Sequence, residues 1–382
     1  MNIENIKGSV GIIDADLINK PSHNFPNLAL MKISAYLKNK GIKTELVSFD
    51  SIGGLFGFDW YIVGKVFTDT IVPDIIYTQK NIIYGGTGFY YDKAEQLPYA
   101  IEHTFPNYNL YKHAATLYNS GKSDYYLNHS IGFTTRGCIR QCSFCVNKNY
   151  KKVEKCSDIS EFYDPSKKYI TLLDDNITAY SGFFDVWQQL KDTGKPFTFK
   201  QGMDFRLLTE KKIKVITETA QYGRFAGRKG QTFYFAFDNI KDSEIINKKA
   251  EIWKRYVKRS TVVVFYVLTG YDENNIYDHA FYETDYNNLI ERIMYLFENR
   301  FYPYIMMHEN LKNSPFYHKV IELRNYCNVP MYCTNSSFRE YLNKKNKESM
   351  ISDYLTELDM TYKYWFINNN SKNKFANFGF VS

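Results

Sequence analysis

Three cysteines lie close together near the middle of this 382-residue chain. Cys138, Cys142 and Cys145 have the spacing C-x3-C-x2-C inside the segment 132–148. Thiolates are soft ligands that suit iron–sulfur clusters, and a [4Fe–4S] cube needs four ligands. Because the loop offers three, the fourth iron would stay open for a small molecule to chelate. The spacing therefore predicts a site for chemistry and not a structural metal site.

Zinc is the main alternative for these cysteines. Closed zinc sites usually have four ligands and often combine two short Cys or His pairs. Cys156 and His129 could complete such a set, but neither lies at a regular spacing from the loop. Cys156, Cys327 and Cys333 also lack the spacing of a second cluster, so no auxiliary cluster is expected. The sequence favours a single iron–sulfur site.

The spacing, and the aromatic Phe144 just before the third cysteine, resemble the signature of the radical SAM superfamily. The resemblance implies that S-adenosylmethionine chelates the open iron and is cleaved reductively to a 5′-deoxyadenosyl radical, which abstracts hydrogen from a substrate. It also implies an electron donor such as flavodoxin or ferredoxin, and a place for the backbone of Phe144 near adenine. The alternative function is a non-catalytic iron–sulfur binding or sensing protein.

Composition restricts the class of protein. Apolar residues make up 44% of the chain, which is enough for a globular core, and the length predicts two domains. The chain has no run of 18 apolar residues and no signal-peptide pattern at its N-terminus, so we expect no membrane span and a cytoplasmic protein. The six cysteines do not form a disulfide framework, which fits a reducing compartment.

Strand and helix patterns alternate in residues 1–125. Apolar strand segments are predicted at 10–14, 43–49, 60–63 and 81–84. Residues 25–37 repeat apolar residues at helical spacing, with Pro26 placed to start the helix. This succession predicts a doubly wound parallel sheet of Rossmann type. It resembles the cobalamin-binding-like domain of many radical SAM proteins, but the Asp-x-His-x-x-Gly motif is absent, so cobalamin is not expected. A glycine-rich segment, 85–88, reads as a tight turn, with phosphate binding as the alternative.

The same alternation predicts six strand–helix units in residues 126–345. Strands are predicted at 129–135, 169–173, 197–200, 232–237, 260–268 and 302–307, separated by helices. Right-handed crossovers between them would make a partial (β/α)6 TIM-like barrel, which is also the core that the resemblance implies. The fold class is therefore α/β, with a short helical and flexible tail at 346–382.

Residues just after the barrel strands are the candidates for the site, because the active face of such barrels is at the carboxyl ends of the strands. The resemblance implies that Asp174 and Asp175, after the second strand, reach the amino group of S-adenosylmethionine. They stand where the family often has Gly-Gly-Glu, and a helix N-cap is their alternative role.

Further candidates follow the later strands. Gln201 and Arg206 come after the third strand, and Arg206 could hold the methionyl carboxylate or simply pair with Asp204. Asp238, after the fourth strand, could meet the ribose hydroxyls or cap the next helix. His308 and Glu309, after the sixth strand, are candidates for substrate contact or proton transfer, although a lone histidine is more often structural.

Basic residues permit an anionic partner. The net charge is +7, and two sequence clusters stand out, namely Arg136, Arg140, Lys148, Lys151, Lys152 and Lys155, and then Arg224, Arg228 and Lys229. They could follow a nucleic-acid backbone, or form a solvated rim around an anionic cofactor pocket. Nucleic acid or a nucleotide is thus a possible substrate.

The chain also resembles a subgroup of radical SAM proteins from phages and prophages of anaerobic bacteria. The matching segments are 24–32, 85–88, the cysteine loop, 201–206 and 266–269, and the resemblance covers most of residues 8–335. It does not bring a substrate with it.

Overall fold

A computed structural model describes residues 3–20, 23–54, 57–117, 123–147, 150–219, 223–225, 228–258 and 260–354. The chain divides into two compact units, Met1–Leu173 and Asp174–Ser382. This division lies later than the predicted boundary at 125, because the Tyr108 hydroxyl donates to the carbonyl of Phe162 at 2.6 Å and accepts the N–H of Ile131 at 2.9 Å. The predicted domains 1–125, 126–345 and 346–382 differ from these two units and stay a prediction.

The first unit is α/β. Its strands are β1 (Val10–Asp14), β2 (Thr44–Leu46), β3 (Trp60–Gly64), β4 (Ile82–Gly85), β5 (His129–Gly132), β6 (Thr135–Arg136), β7 (Glu154–Lys155) and β8 (Tyr169–Leu172). Its helices are α1 (Ala15–Asn19), α2 (Leu28–Asn39), α3 (Ile75–Thr78), α4 (Thr87–Tyr90), α5 (Tyr99–Glu102), α6 (Lys112–Leu117) and α7 (Ser123–Asn128).

Four of these strands form a parallel sheet in the order β2-β1-β3-β4, in which Val10 lies opposite both Thr44 and Trp60. Successive side chains of a strand point to opposite faces, so the apolar run of β1 supplies apolar side chains to both faces of the sheet. Ile12 packs into a core that includes Leu30 of α2, and Ile13 packs into a second core on the other face. The predicted parallel α/β arrangement is confirmed here.

Helix α2 begins two residues after the proline that was predicted to start it. Asn27 is its N-cap, and its side-chain oxygen accepts the N–H of Leu30 at 3.3 Å. The preference of asparagine for this position explains the shift, because its side chain satisfies a backbone donor that proline cannot.

The remaining strands of this unit flank the cysteine loop in sequence. β5 and β8 pair in parallel, with His129 opposite Tyr169, and β6 and β7 pair antiparallel. The predicted strand 129–135 therefore ends at Gly132, and Thr135 belongs to the separate β6–β7 hairpin. The loop between β6 and β7 carries all three cysteines of the motif.

The second unit is also α/β. Its strands are β9 (Phe197–Phe199), β10 (Gly223–Phe225), β11 (Arg228–Gly230), β12 (Thr232–Ala236), β13 (Val262–Thr269) and β14 (Tyr302–Met307). Its helices are α8 (Phe183–Asp192), α9 (Glu210–Glu218), α10 (Ser243–Tyr256), α11 (His279–Glu298), α12 (Tyr317–Cys327), α13 (Pro330–Asn335) and α14 (Phe338–Lys344).

β12, β13 and β14 form a parallel sheet in that order, in which Ala236 lies opposite Tyr266 and Tyr266 opposite Tyr304. The side chains of Phe233 and Phe235 pack against Trp253 of α10. Helices connect successive parallel strands, as the sequence pattern predicts. The partial barrel itself stays a prediction.

The predicted tail lies mostly outside the described residues. Its helix was expected over 349–358, and the described part is a 3-10 helix, Glu348–Tyr354. Within the described ranges, no helix combines the length and the apolar composition that crossing a bilayer requires.

Candidate functional site

The cysteine loop begins at a glycine that no other residue could replace without strain. Gly137 has φ of +95°, and a Cβ built on it would lie 2.2 Å from the carbonyl oxygen of Lys152. The β6–β7 pair joins Arg136 to Glu154 and closes the base of the loop. The backbone thus turns tightly just before Cys138 and presents the motif on a closed hairpin.

The sulfur atoms receive backbone hydrogen bonds. The N–H of Arg140 donates to the sulfur of Cys138 at 3.3 Å, and the N–H of Asn147 donates to that of Cys145 at 3.4 Å. The N–H of Cys145 also donates to the carbonyl of Cys142 at 3.0 Å, which folds the loop back on itself. The thiolate is the form of cysteine that binds a metal. The residue types of the loop therefore suit an iron–sulfur cluster, but in the structure the three thiols are not grouped as a metal site.

In the part of the chain that the structure describes, no group of three or more His, Cys, Asp or Glu side chains is placed so as to hold a metal ion. The two residues that could have extended the motif to a zinc site have other contacts. His129 is buried in β5 beside Thr171, with their Nδ1 and Oγ1 atoms 2.7 Å apart. The thiol of Cys156 lies 3.8 Å from Glu102, and burial raises its pKa.

The segment after β4 contacts the loop at two points. The hydroxyl of Tyr91 donates to the carbonyl oxygen of Phe144 at 3.0 Å. Gln96 donates its side-chain N–H to the hydroxyl of Tyr150 at 2.6 Å. Gln141, inside the loop, donates to the carbonyl of Tyr150 at 2.8 Å. The loop is therefore anchored to the residues that follow the N-terminal sheet.

The glycine-rich turn after β4 packs against its own unit. A Cβ on Gly86, whose φ is +110°, would lie 2.3 Å from the carbonyl of Lys65, and the N–H of Gly88 donates to that same carbonyl at 3.0 Å. Because this donor is already used, the tight-turn interpretation is favoured over phosphate binding.

Two aspartates open the second unit. Asp174 is fully buried and Asp175 is half-buried. The 3-10 helix that follows, Ile177–Ala179, has Asn176 at its N-cap position. Their predicted role toward an amino group stays a prediction.

Gln201 lies in the turn after β9, and Arg206 lies in the 3-10 helix Phe205–Leu207 that follows it. Gln201 is exposed. The guanidinium of Arg206 bonds Asp204 at 2.7 Å and at 3.0 Å, and Asp242 at 2.5 Å. Burial alone would lower the pKa of Arg206, but the two carboxylates raise it. This arrangement favours the structural ion pair that the sequence left open, and the carboxylate-holding role stays a prediction.

Asp238 lies at the carboxyl end of β12. Its carboxylate accepts the N–H of Leu268 at 3.1 Å, and burial raises its pKa. It does not cap the next helix, because Asn239 does so by accepting the N–H of Lys241 at 3.0 Å. The role of Asp238 toward ribose hydroxyls stays a prediction.

His308 and Glu309 follow β14. His308 is the N-cap of a 3-10 helix, its Nδ1 atom accepting the N–H of Asn310 at 3.4 Å, and its ring meets Tyr271 edge-on. Glu309 is exposed. The structural alternative for the histidine is therefore favoured over proton transfer.

Ion pairs hold several of the basic residues near the loop. Lys152 pairs with Glu154 at 2.7 Å, and Lys155 pairs with Asp158 at 2.6 Å. Lys148 lies outside the described residues. Arg224, Arg228 and Lys229 belong to the β10–β11 hairpin of the second unit. The Lys152–Glu154 and Lys155–Asp158 ion pairs give the nucleic-acid hypothesis no added support.

Sequence reasoning missed two residues that organise these regions. Arg292 interrupts the apolar face of α11, between Leu289 and Leu296, and that interruption was a usable signal. Tyr91 carries no such signal, because the chain is rich in tyrosine, with 34 in all.

Comparison with models of known protein families gives no match, and comparison with curated proteins finds no relative of this chain.

Proposed function

We propose that the chain is a radical SAM enzyme in which Cys138, Cys142 and Cys145 hold a [4Fe–4S] cluster. The observation that carries this proposal is the cysteine loop, with its three thiols at C-x3-C-x2-C spacing. Two of the sulfurs accept backbone N–H groups, at 3.3 and 3.4 Å. A closed zinc site would need a fourth protein ligand, whereas three thiolates suit a cluster that keeps one iron open.

When bound, the cluster supplies the electron that cleaves S-adenosylmethionine and so generates the radical that takes hydrogen from a substrate. The residues of the chain have simpler tasks. The backbone N–H groups of Arg140 and Asn147 donate hydrogen bonds to two of the three sulfurs that would hold the cluster. The family resemblance implies that the backbone of Phe144 lies near the adenine.

The partial (β/α)6 barrel belongs to the same proposal. The parallel pair β5–β8 in the first unit and the parallel sheet β12-β13-β14 in the second are each compatible with it. The assignments of Asp174, Asp175, Gln201, Arg206 and Asp238 toward S-adenosylmethionine rest on the family resemblance. The same resemblance implies a flavodoxin or ferredoxin as electron donor, and the net charge of +7 suggests a nucleic acid or nucleotide as substrate.

The test is anaerobic reconstitution with iron and sulfide, followed by analysis of iron content, electron paramagnetic resonance and 5′-deoxyadenosine formation with dithionite. We expect product from the wild type and none from Cys142→Ala. Cys327→Ala is the matched control, because this buried cysteine of α12 lies outside the motif.

A protein that binds zinc and no iron would contradict the proposal. A well-formed cluster without cleavage of S-adenosylmethionine would favour the sensing alternative instead.

A further inference from the structure

Two cations share one carboxylate at the base of the cysteine loop. An oxygen of Glu102 lies 2.9 Å from the ammonium of Lys32 and 3.2 Å from the guanidinium of Arg136. The side chains of Lys32, Glu102 and Arg136 are 4%, 15% and 30% exposed. We call these three residues the buried charge group. Two positive charges and one negative charge leave it with one positive charge in excess.

The charge states of the neighbouring groups preserve this excess. Against the effect of burial, Arg136 and Lys32 lower the pKa of Glu102, so its carboxyl stays charged at neutral pH. The thiol of Cys156 lies 3.8 Å from the same carboxylate, and burial raises its pKa. A protonated thiol carries no charge, so Cys156 does not cancel the excess.

The exposed ion pairs described on the β6–β7 hairpin are balanced. Lys152 pairs with Glu154 at 2.7 Å, and Lys155 pairs with Asp158 at 2.6 Å. Half or more of each of these four side chains is exposed. Water and salt screen exposed charges strongly and buried charges much less. Among these described ion pairs, the buried charge group is therefore the one with a net charge that acts at a distance.

Arg136 places this charge next to the cysteine motif. It is the last residue of β6, and two residues along the chain separate its Cα from that of Cys138 by at most about 7 Å. Its guanidinium carbon lies 3.8 Å from the centroid of the Phe133 ring, while Glu102 holds one of its nitrogens. These two contacts fix the position of the positive charge.

A positive charge at this position favours negative charge on the loop. A [4Fe–4S] cluster held by three thiolates is anionic, and taking up one electron from a chemical reductant adds one more negative charge. We propose that the buried charge group stabilises negative charge on the cysteine loop, and with it the reduced state of the bound cluster. The part of this inference that concerns the cluster rests on the proposed function.

The experiment uses two variants that break the same ion pair but change the charge in opposite directions. Glu102→Gln adds one positive charge to the group, and Arg136→Gln removes one. A redox titration of cluster-loaded protein, followed by electron paramagnetic resonance, gives the ratio of reduced to oxidised cluster at a fixed potential. For charges about 10 Å apart, this ratio should rise about three- to tenfold in Glu102→Gln and fall about three- to tenfold in Arg136→Gln. A tenfold change is about 59 mV for a one-electron couple.

The direction of the two shifts separates charge from structure. If the ion pair only held the loop in place, both variants would shift the ratio in the same direction, because both lose the Glu102–Arg136 contact. Arg136→Lys keeps the charge and should stay within about twofold of wild type. Glu154→Gln is the matched control for Glu102→Gln, because it makes the same chemical change at an exposed carboxylate of β7, and it should also change the ratio by less than about twofold.

A second measurement needs no cluster. Metal-free protein is titrated with Co²⁺ under reducing conditions, and the thiolate-to-metal absorption reports binding, with Cys142→Ala as the control for binding at the loop. Three thiolates around Co²⁺ leave a negatively charged site. Glu102→Gln should therefore bind Co²⁺ about three- to tenfold more tightly than wild type, and Arg136→Gln about three- to tenfold more weakly.

Shifts in the same direction for Glu102→Gln and Arg136→Gln, or no shift in either, would overturn the inference. If Glu102→Gln does not fold, Arg136→Gln and Arg136→Lys decide the question, since only the first of them removes the charge. Opposite Co²⁺ shifts in a protein that forms no iron–sulfur cluster would reject the proposed function, but would confirm that the buried charge group stabilises negative charge on the loop.

Discussion

The ammonium group of Lys32 lies 2.9 Å from a carboxylate oxygen of Glu102, and both side chains are largely buried. The guanidinium of Arg136, at the base of the cysteine loop, lies 3.2 Å from the same oxygen. Burial alone would raise the pKa of Glu102, but Arg136 and Lys32 outweigh it and lower the pKa below its ordinary value. One carboxylate thus joins α2 to the start of the loop.

This network predicts a loss of stability in acid. Because the pKa of Glu102 is lower in the folded than in the unfolded chain, the group stabilises the fold above its ordinary pKa, and the stabilisation is lost as the pH falls through the folded value. The free energy of unfolding of wild type should therefore decrease below about pH 4.5. Glu102→Gln should lack this acid dependence. Its free energy of unfolding at pH 7 should be about 3 kcal/mol lower than that of wild type, because Lys32 stays buried without a charged partner. Urea titrations from pH 7 to pH 3 measure both effects.

Glu95→Gln is the control, since Glu95 is exposed. A Glu102→Gln variant with the acid dependence of wild type would show that another carboxylate is responsible.

Arg292 should be essential to the second unit. The residue is 2% exposed, and one of its guanidinium nitrogens donates to the carbonyls of Phe237, Asp238 and Leu268 at 2.9 to 3.0 Å. Arg292→Met would leave these buried acceptors without their donor, so we expect a loss of about 3–5 kcal/mol in the free energy of unfolding. The exposed Arg324→Met should stay within about 0.5 kcal/mol of wild type. Equal stability of the two variants would contradict this account.

Gly132 should not tolerate a methyl group. A Cβ at this position, the end of β5, would lie 2.2 Å from the buried ring of Phe162. Gly132→Ala should lower the free energy of unfolding by about 1–3 kcal/mol, because the added methyl group overpacks the site. Urea unfolding measures this change. Gly85→Ala is a suitable control, because no heavy atom lies within 4 Å of its Cβ position. Combining Gly132→Ala with Phe162→Leu should cost less than the sum of the single changes, and strict additivity would exclude the clash.

Arg206 provides a test of two roles. If the main role of Arg206 is to pair with Asp204 and Asp242, Arg206→Lys should lower the free energy of unfolding by about 1–2 kcal/mol, because lysine cannot form the bidentate pair. Asp242→Asn is the companion variant, and its effect should not add fully to that of Arg206→Lys. Chemical unfolding measures stability, and titration measures the affinity for S-adenosylmethionine. Wild-type stability with weakened binding would support the carboxylate-holding role instead.

Sequence alone predicted the main parallel strands of both units, but not the β6–β7 pair or the β10–β11 hairpin. The predicted strands at 10–14 and 302–307 match the structure, and the others differ from it by a few residues at their ends. This success has a local cause, since the period of apolar residues along a strand or helix reflects which of its faces is buried. The cysteine motif was visible for the same reason, because its three thiols are neighbours along the chain.

Only the tertiary structure decided which side chains meet. Tyr91 and Phe144 are far apart in sequence, as are Lys32 and Arg136, and no spacing rule relates either pair. Arg206 has a neighbouring carboxylate that the sequence suggested, but its second partner, Asp242, arrives from another helix. Such contacts depend on how strands pair and helices pack. They are set by the burial of the whole chain and not by the residues adjacent to them.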